Sequence, residues 1–283
     1  MQNTKLCLAA HYDCMDVPEQ IKIYHDVGFY GFFTGYDQKL PLYRETAEKC
    51  GMYYQSVHAP YVRMNLLWRD VADTEDAKNE LLRCIDDSAD AGVPIVVAHA
   101  YIGIGEKKTD IPNEMGISNF SYIVERAVKR NIKIAFENTE GEEFLGALMK
   151  HFENVPNVGF CWDTGHEMCY NHSCDMTALY GDKLIATHLN DNLGIRSFDG
   201  EITFHDDLHL LPFDGIADWQ DITDRMNRCG YCGELTFELN LGSKPGRHEN
   251  DKYRKIPFEE YVTEAYARAC RVASLKDSHK RKA

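Results

Sequence analysis

Short apolar, β-branched or aromatic runs recur along the whole chain. They are Lys5–Ala10, Phe29–Gly35, Tyr53–Ala59, Pro94–Ala100, Lys133–Asn138, Val158–Asp163, Leu184–Asn190 and Gly233–Asn240. Several are apolar without alternation, as strands buried on both faces should be. Between them lie segments with apolar positions at helical spacing. One opens at Thr74 and stops at Gly92, and another, Ser118–Arg130, repeats Phe120, Ile123, Val124, Ala127 and Val128. Glu142–Phe152, Trp219–Cys229 and Pro257–Ala273 read the same way. Strands that alternate with helices imply a parallel sheet with right-handed crossovers. Eight such units in one chain predict an α/β fold, a single-domain (β/α)₈ TIM barrel. An open doubly wound sheet would want a glycine-rich turn after the first strand, where this chain has His11-Tyr12-Asp13-Cys14. No Pro- or Ser-rich linker divides residues 1–283. Residues 275–283, ending in Lys280-Arg281-Lys282, read as a flexible, solvated tail.

Composition narrows the partners. The chain has 283 residues, with 31 Lys and Arg against 45 Asp and Glu, a formal net charge of −14. A phosphate backbone needs clustered cations, so nucleic acid is disfavoured and a small polar substrate is favoured. The first residues hold no basic region followed by a long apolar run, and no apolar stretch spans a bilayer. The ten scattered cysteines read as reduced thiols, and a cytoplasmic location is the expectation. Cys229-Gly-Tyr-Cys232 is a CxxC without the second pair that a zinc ribbon needs. Oligomeric state is not readable, and a homo-oligomer is compatible with the chain.

The chemistry is concentrated where the apolar runs end. His11, His58, His99, Glu137, Asp163, His188 and Glu238 stand at the ends of seven of the eight strands, with His166 and Asp191 just beyond and Asp207-Leu208-His209 between strands seven and eight. One such residue alone is an ordinary loop residue. A barrel, however, brings all its strand ends into one ring, where active sites of this architecture lie. Carboxylates gathered there repel one another unless a cation sits among them. Two Glu, one Asp and one His make a mixed O/N set suited to Mn²⁺, Zn²⁺, Co²⁺ or Mg²⁺.

On Phe136-Glu137-Asn138, Trp162-Asp163-Thr164-Gly165-His166, His188-Leu189-Asn190-Asp191 and Thr236-Phe237-Glu238, taken in that order, the chain resembles the xylose isomerase-like barrels. These are the sugar isomerases and epimerases together with endonuclease IV. Resemblance to the ketose 3-epimerases implies that Glu137, Asp163, His188 and Glu238 hold one metal, and that Glu137 and Glu238 also serve as the catalytic acid–base pair. It implies substrate contacts from Glu143 and His166. Those epimerases place an arginine six residues after the metal histidine. Here that position is Gly194, a departure from the family's pattern, and Arg196 two residues on is a candidate substrate contact in its place. Resemblance to endonuclease IV, which holds three zinc ions with nine side chains, extends the ligand set. His58, His99, Glu137, Asp163, His166, His188, Asp207, His209 and Glu238 reproduce that order. The −14 charge and the stretch His209-Leu-Leu-Pro-Phe-Asp-Gly215 lean toward the sugar enzymes.

The expected function is therefore a metal-dependent isomerase or epimerase of a sugar, working by proton transfer next to a carbonyl through an enediolate. The alternatives are a lyase or dehydratase on a sugar-like substrate, an endonuclease IV-like zinc phosphodiesterase, and a non-catalytic protein stabilised by metal. Tyr12, Tyr36, Tyr61, Trp68 and Trp162 are candidate walls for a sugar pocket, and Trp68 is the candidate lid. The lack of a glycine-rich phosphate loop points to an unphosphorylated substrate.

Overall fold

The computed structural model describes residues 4–103, 110–195 and 204–279. Eight strands form: β1 (Leu6–Ala9), β2 (Gly31–Gly35), β3 (Tyr53–His58), β4 (Ile95–His99), β5 (Lys133–Glu137), β6 (Val158–Asp163), β7 (Leu184–His188) and β8 (Leu235–Phe237). All lie within the apolar runs. The helices among the described residues are α1 (Val17–Val27), α2 (Leu40–Cys50), α3 (Thr74–Asp90), α4 (Glu114–Lys129), α5 (Glu142–His151), α6 (Thr164–Cys169), α7 (Met176–Tyr180), α8 (Trp219–Arg228) and α9 (Phe258–His279). Among the described residues, the connection from β6 to β7 carries two short α-helices, and each of the others carries one α-helix.

Every ladder is parallel, in the order β7-β6-β5-β4-β3-β2-β1-β8. Closure between β7 and β8 rests on one bridge, Leu189 to Phe237. Leu189 N–H donates to Thr236 O at 2.8 Å, and Glu238 N–H donates to Leu189 O at 3.2 Å. The result is a nearly closed (β/α)₈ barrel. Inside it, Ile95, Val97, Ala135, Cys161 and Ala186 form a small apolar plug. The larger core, with Phe32, Tyr54, Phe136 and Phe160, packs between sheet and helices. This arrangement explains strands that are apolar on both faces.

Local chemistry sets the helix ends. Asp16 accepts from Glu19 N–H at the start of α1, and Gly28 ends it with φ +114°. Helix α4 begins at Glu114, four residues before the periodicity announces it, because Asn113 caps it by accepting from Gly116 N–H at 2.9 Å. A side chain at Gly116 would collide with the Trp68 ring, its Cβ falling 1.9 Å from an indole carbon.

Two expectations are corrected here. Trp68 is 2% exposed, with its ring against Phe120 and Phe144 and its Nε1–H donating to Ala100 O at 2.8 Å. It is a core residue, not a lid, because the missing side chain at Gly116 lets the indole settle inward. The expected flexible tail does not begin at 275, since α9 continues to His279, and residues 280–283 lie outside the described residues. Lys276 is 3% exposed and donates to Tyr231 O at 2.8 Å. Asp277 accepts from Thr4 Oγ1 at 3.2 Å.

Among the described residues no helix is long and apolar enough to cross a membrane. Each cysteine is unbridged. Cys229 is half-buried with Sγ facing Thr177 O, Cys232 is exposed, and neither joins a cluster of metal-donor side chains.

Candidate metal centre

Because all strands are parallel, their C-terminal ends share one face. Register aligns His99 with Glu137 and Asp163 with His188. Glu137, at the end of β5, is the hub and is 0% exposed. Its Oε2 lies 3.2 Å from His58 Nε2 and 3.0 Å from His99 Nε2. Its Oε1 lies 2.8 Å from His188 Nδ1 and 3.7 Å from His166 Nδ1. His188 Nδ1 also lies 3.0 Å from Glu238 Oε2, and the Glu238 side chain retains 17% exposure. Across the ring, Asp207 Oδ2 meets His209 Nε2 at 3.0 Å and His166 Nε2 at 3.5 Å.

Among the described residues, four sets follow in which the donor atoms lie within 4.8 Å of one another: His58, His99 and Glu137; Glu137, Cys161 and His188; Glu137, Asp163, His188 and Glu238; Asp163, His166 and His209. The ring nitrogens behind these donors are informative. His58 Nδ1 faces Ala59 O at 2.9 Å, His166 Nδ1 faces Asn138 O at 3.0 Å, and His209 Nδ1 faces Glu238 O at 3.0 Å. A carbonyl only accepts, so each Nδ1 carries the hydrogen, and a neutral ring then turns the Nε2 lone pair into the ring of carboxylates. Lone pairs facing carboxylates at about 3 Å are repulsive unless protons or a cation lie between them. The buried Asp207 Oδ1 and His99 Nδ1 also lack hydrogen-bond partners. The donor set fits a divalent cation.

Electrostatics in the metal-free ring agree. For Asp163, burial pushes the carboxyl up to about 6, against the pull of His166 and His209. For Glu137, burial pushes upward, but His188, His58 and His99 outweigh it and hold the carboxyl well below its usual range. For His209, burial pulls downward, but Asp207 raises the ring to about 9. Burial likewise opposes charge on His166 and His188, and the surrounding carboxylates overcome it. Protons stand in these contacts where a cation could replace them.

Four residues outside the expected set hold the ring in shape. Asn190 Nδ2 donates to both Asp163 oxygens, at 3.2 and 3.1 Å. Asn138 grips the backbone of Asp163 in both directions, each bond 2.8 Å. Phe33 stacks on His188 with centroids 4.5 Å apart. Cys161 lies beneath Glu137 and His188 on the inner face of the barrel. Both asparagines stand inside the motifs noted in the sequence, but a neutral amide gives no sign there that it braces a carboxylate.

Other expected contacts divide. Tyr61 is exposed, with ring centroids 5.6 Å from His58 and 5.1 Å from His99, so it stands over the ring. Tyr12 packs on Phe258 and Tyr261, Tyr36 donates to Asp87, and Trp162 lies buried under the Arg225 guanidinium. These three are framework. Glu143 is exposed in the first turn of α5, while its neighbour Glu142 accepts from Asn171 at 2.9 Å. Arg196 lies outside the described residues.

Comparisons with known proteins agree with this architecture. The Sinorhizobium fredii protein y4fM is 30% identical over 225 residues, covering 74% of this chain and 64% of that protein. The Methanocaldococcus jannaschii protein MJ1311 is 25% identical over 200 residues, covering 64% and 63%. The chain thus matches under two thirds of the length of these relatives. Among solved structures, an L-ribulose 3-epimerase superposes with a TM-score of 0.71 at 14% identity, covering 99% of this chain and 96% of that one. A zinc-bound IolI protein gives 0.70 at 18%, covering 95% and 98%. D-psicose 3-epimerase from Clostridium cellulolyticum H10, bound to D-tagatose, gives 0.67 at 14%, covering 97% and 98%. At these identities the likeness is one of fold. Residues 8–256 match the family described as xylose isomerase-like TIM barrel, and the chain belongs to that family.

Proposed function

We propose that this protein is a divalent-metal-dependent isomerase or epimerase of a sugar or sugar-like substrate. The observation that carries the reading is Glu238, a carboxylate beside the Glu137–His188 hub that retains exposure where Glu137 has none. Glu137, Asp163, His188 and Glu238 would hold the cation. When bound, it supplies positive charge that lowers the cost of removing a proton from carbon next to a carbonyl. Glu238 reaches the open side of the ring and takes that proton. Glu137 is the second carboxylate of the acid–base pair, and its contacts with four imidazoles fix its orientation. His166, held by Asn138 O, is placed to hydrogen-bond a sugar hydroxyl, and Tyr61 offers a ring face to sugar C–H groups. Return of a proton to the same carbon from the opposite face is epimerisation, and return to the neighbouring carbon is isomerisation.

The test is exchange of carbon-bound hydrogen. Incubated with a panel of ketoses in D₂O, the metal-loaded protein should place deuterium next to the carbonyl of its substrate. Glu238→Gln should suppress exchange by about two to four powers of ten, because an amide ligates through oxygen but takes up no proton. Exchange undiminished in that variant would remove Glu238 from the role.

The second carboxylate–histidine cluster favours one other reading. Asp207, His166 and His209 add donors beyond a single-ion site, so phosphodiester hydrolysis with several zinc ions is the alternative. It forecasts about three zinc ions per chain and salt-sensitive cleavage of abasic DNA, with no carbon exchange on any ketose.

A further inference from the structure

The loops after β7 and β8 are tied together by one arginine, which leaves one lysine at the edge of the ring. Arg247 donates to Asp206 Oδ1 at 3.0 Å, to His205 O at 3.4 Å and to Glu249 Oε1 at 2.7 Å. Its guanidinium is thereby committed to holding the 204–207 segment against the 243–250 segment. In the same loop, Lys244-Pro245-Gly246 turns with φ +72° at the glycine. The turn presents the Lys244 ammonium 3.9 Å from Asp207 Oδ2 and 5.6 Å from the Phe204 ring centre.

This is a poor ion pair but a good position. The distance is at the limit for a salt bridge, and Asp207 already has His209 and His166 as charge partners. Lys244 is therefore not needed to neutralise the ring. Its side chain is 21% exposed, which keeps the ammonium partly desolvated yet reachable. A partly desolvated cation beside the strand-end face gains most from an anion delivered there. In (β/α)₈ barrels, the loops after strands seven and eight frequently contribute to a phosphate-binding site.

We propose that Lys244 binds an anionic group of the substrate, a carboxylate or a phosphate, at the Asp207 side of the ring. The proposal rests on the sugar-handling reading above and sharpens it: the substrate is a charged sugar derivative rather than a neutral ketose. The lack of a glycine-rich phosphate loop favours a carboxylate over a phosphate, and a single ammonium can meet either anion as a point charge.

The test uses the intact Mn²⁺-loaded protein and three probes of one carbon skeleton: glycerol 3-phosphate, glycerate and glycerol. Binding is read by calorimetric titration, with metal content checked in each preparation. Wild type should prefer an anionic probe over glycerol by at least about tenfold, and the tighter anion identifies the source of the charge. Lys244→Met should weaken that anion by about 10- to 100-fold while keeping metal content and folding, and Lys244→Arg should retain most of the preference. Direct attraction of anions by the cation is common to all variants and cancels. No preference in wild type, or the same preference in Lys244→Met, would overturn the proposal. Hydrogen exchange is scored separately on neutral, carboxylated and phosphorylated ketoses, so anion preference without exchange on any of them would remove the isomerase reading and leave the lysine site standing.

Discussion

Asn190 donates one amide group to both oxygens of Asp163, so a neutral side chain braces a buried carboxylate that faces the centre of the ring. The geometry depends on Gly165, where an added Cβ would fall 1.9 Å from Asn190 Oδ1. Asn190→Ala should therefore leave the barrel folded and weaken the metal by about 10- to 100-fold, the usual cost of losing an outer partner of a ligand. Gly165→Ala should do the same by pushing Asn190 aside. Metal titrations of the two variants that match wild type would show that Asp163 needs no brace.

The histidine pKa values set the sign of a pH dependence. The folded pKa of His209 is raised to about 9, from an ordinary value of about 6.5. Its contribution to the stability of the metal-free fold is thus fully present below about pH 6.5 and is lost as pH rises through about 9. A cation held by Asp163, His166 and His209 must displace that proton, so apparent affinity for an ion at that set should climb across the same window, by up to about tenfold per pH unit for each proton released. Urea unfolding of metal-free protein and zinc titration, both run from pH 6.5 to 9.5, should slope in opposite directions. Parallel slopes would sink this account.

Trp68 should behave as a core residue. Trp68→Ala should cost about 3–5 kcal/mol of stability in denaturant unfolding, with metal affinity unchanged at a temperature where the variant is folded. A lid would give the reverse pattern, with normal stability and impaired substrate binding.

Truncation after Ser274 removes Lys276 and Asp277, with their bonds to Tyr231 O and Thr4. Loss of these contacts should destabilise the protein by about 1–3 kcal/mol. Removal of residues 280–283 alone serves as the comparison. Equal melting temperatures for the two truncations would restore the view of 275–279 as a dispensable end.

These cases mark what was legible before the structure. Strands and the clustered strand-end donors could be read because each is a local pattern: an apolar run that stops on His, Asp or Glu. The position of Trp68 could not, because a glycine in another element makes its pocket. Lys276 looks solvated by type, and its burial becomes intelligible once Tyr231 O, 45 residues away in the chain, and Asn227 Oδ1 are seen to accept from its ammonium. Asn113 starts α4 through one side-chain bond, ahead of any periodicity. Asn190 is an ordinary amide until Asp163 is seen beside it.

The gap between β7 and β8 gives the candidate cation a mechanical meaning. These strands meet through one bridge, yet they carry His188 and Glu238 to the same donor set. An ion held by both would act as a clasp across the weakest join of the hoop, fastening it from the side where substrate enters. The amides of Leu189 and Glu238, which cross that join, should then exchange with solvent faster when the clasp is removed, ahead of those in β4 and β5. Losing the ion would begin to open the barrel at the place where its chemistry is assembled.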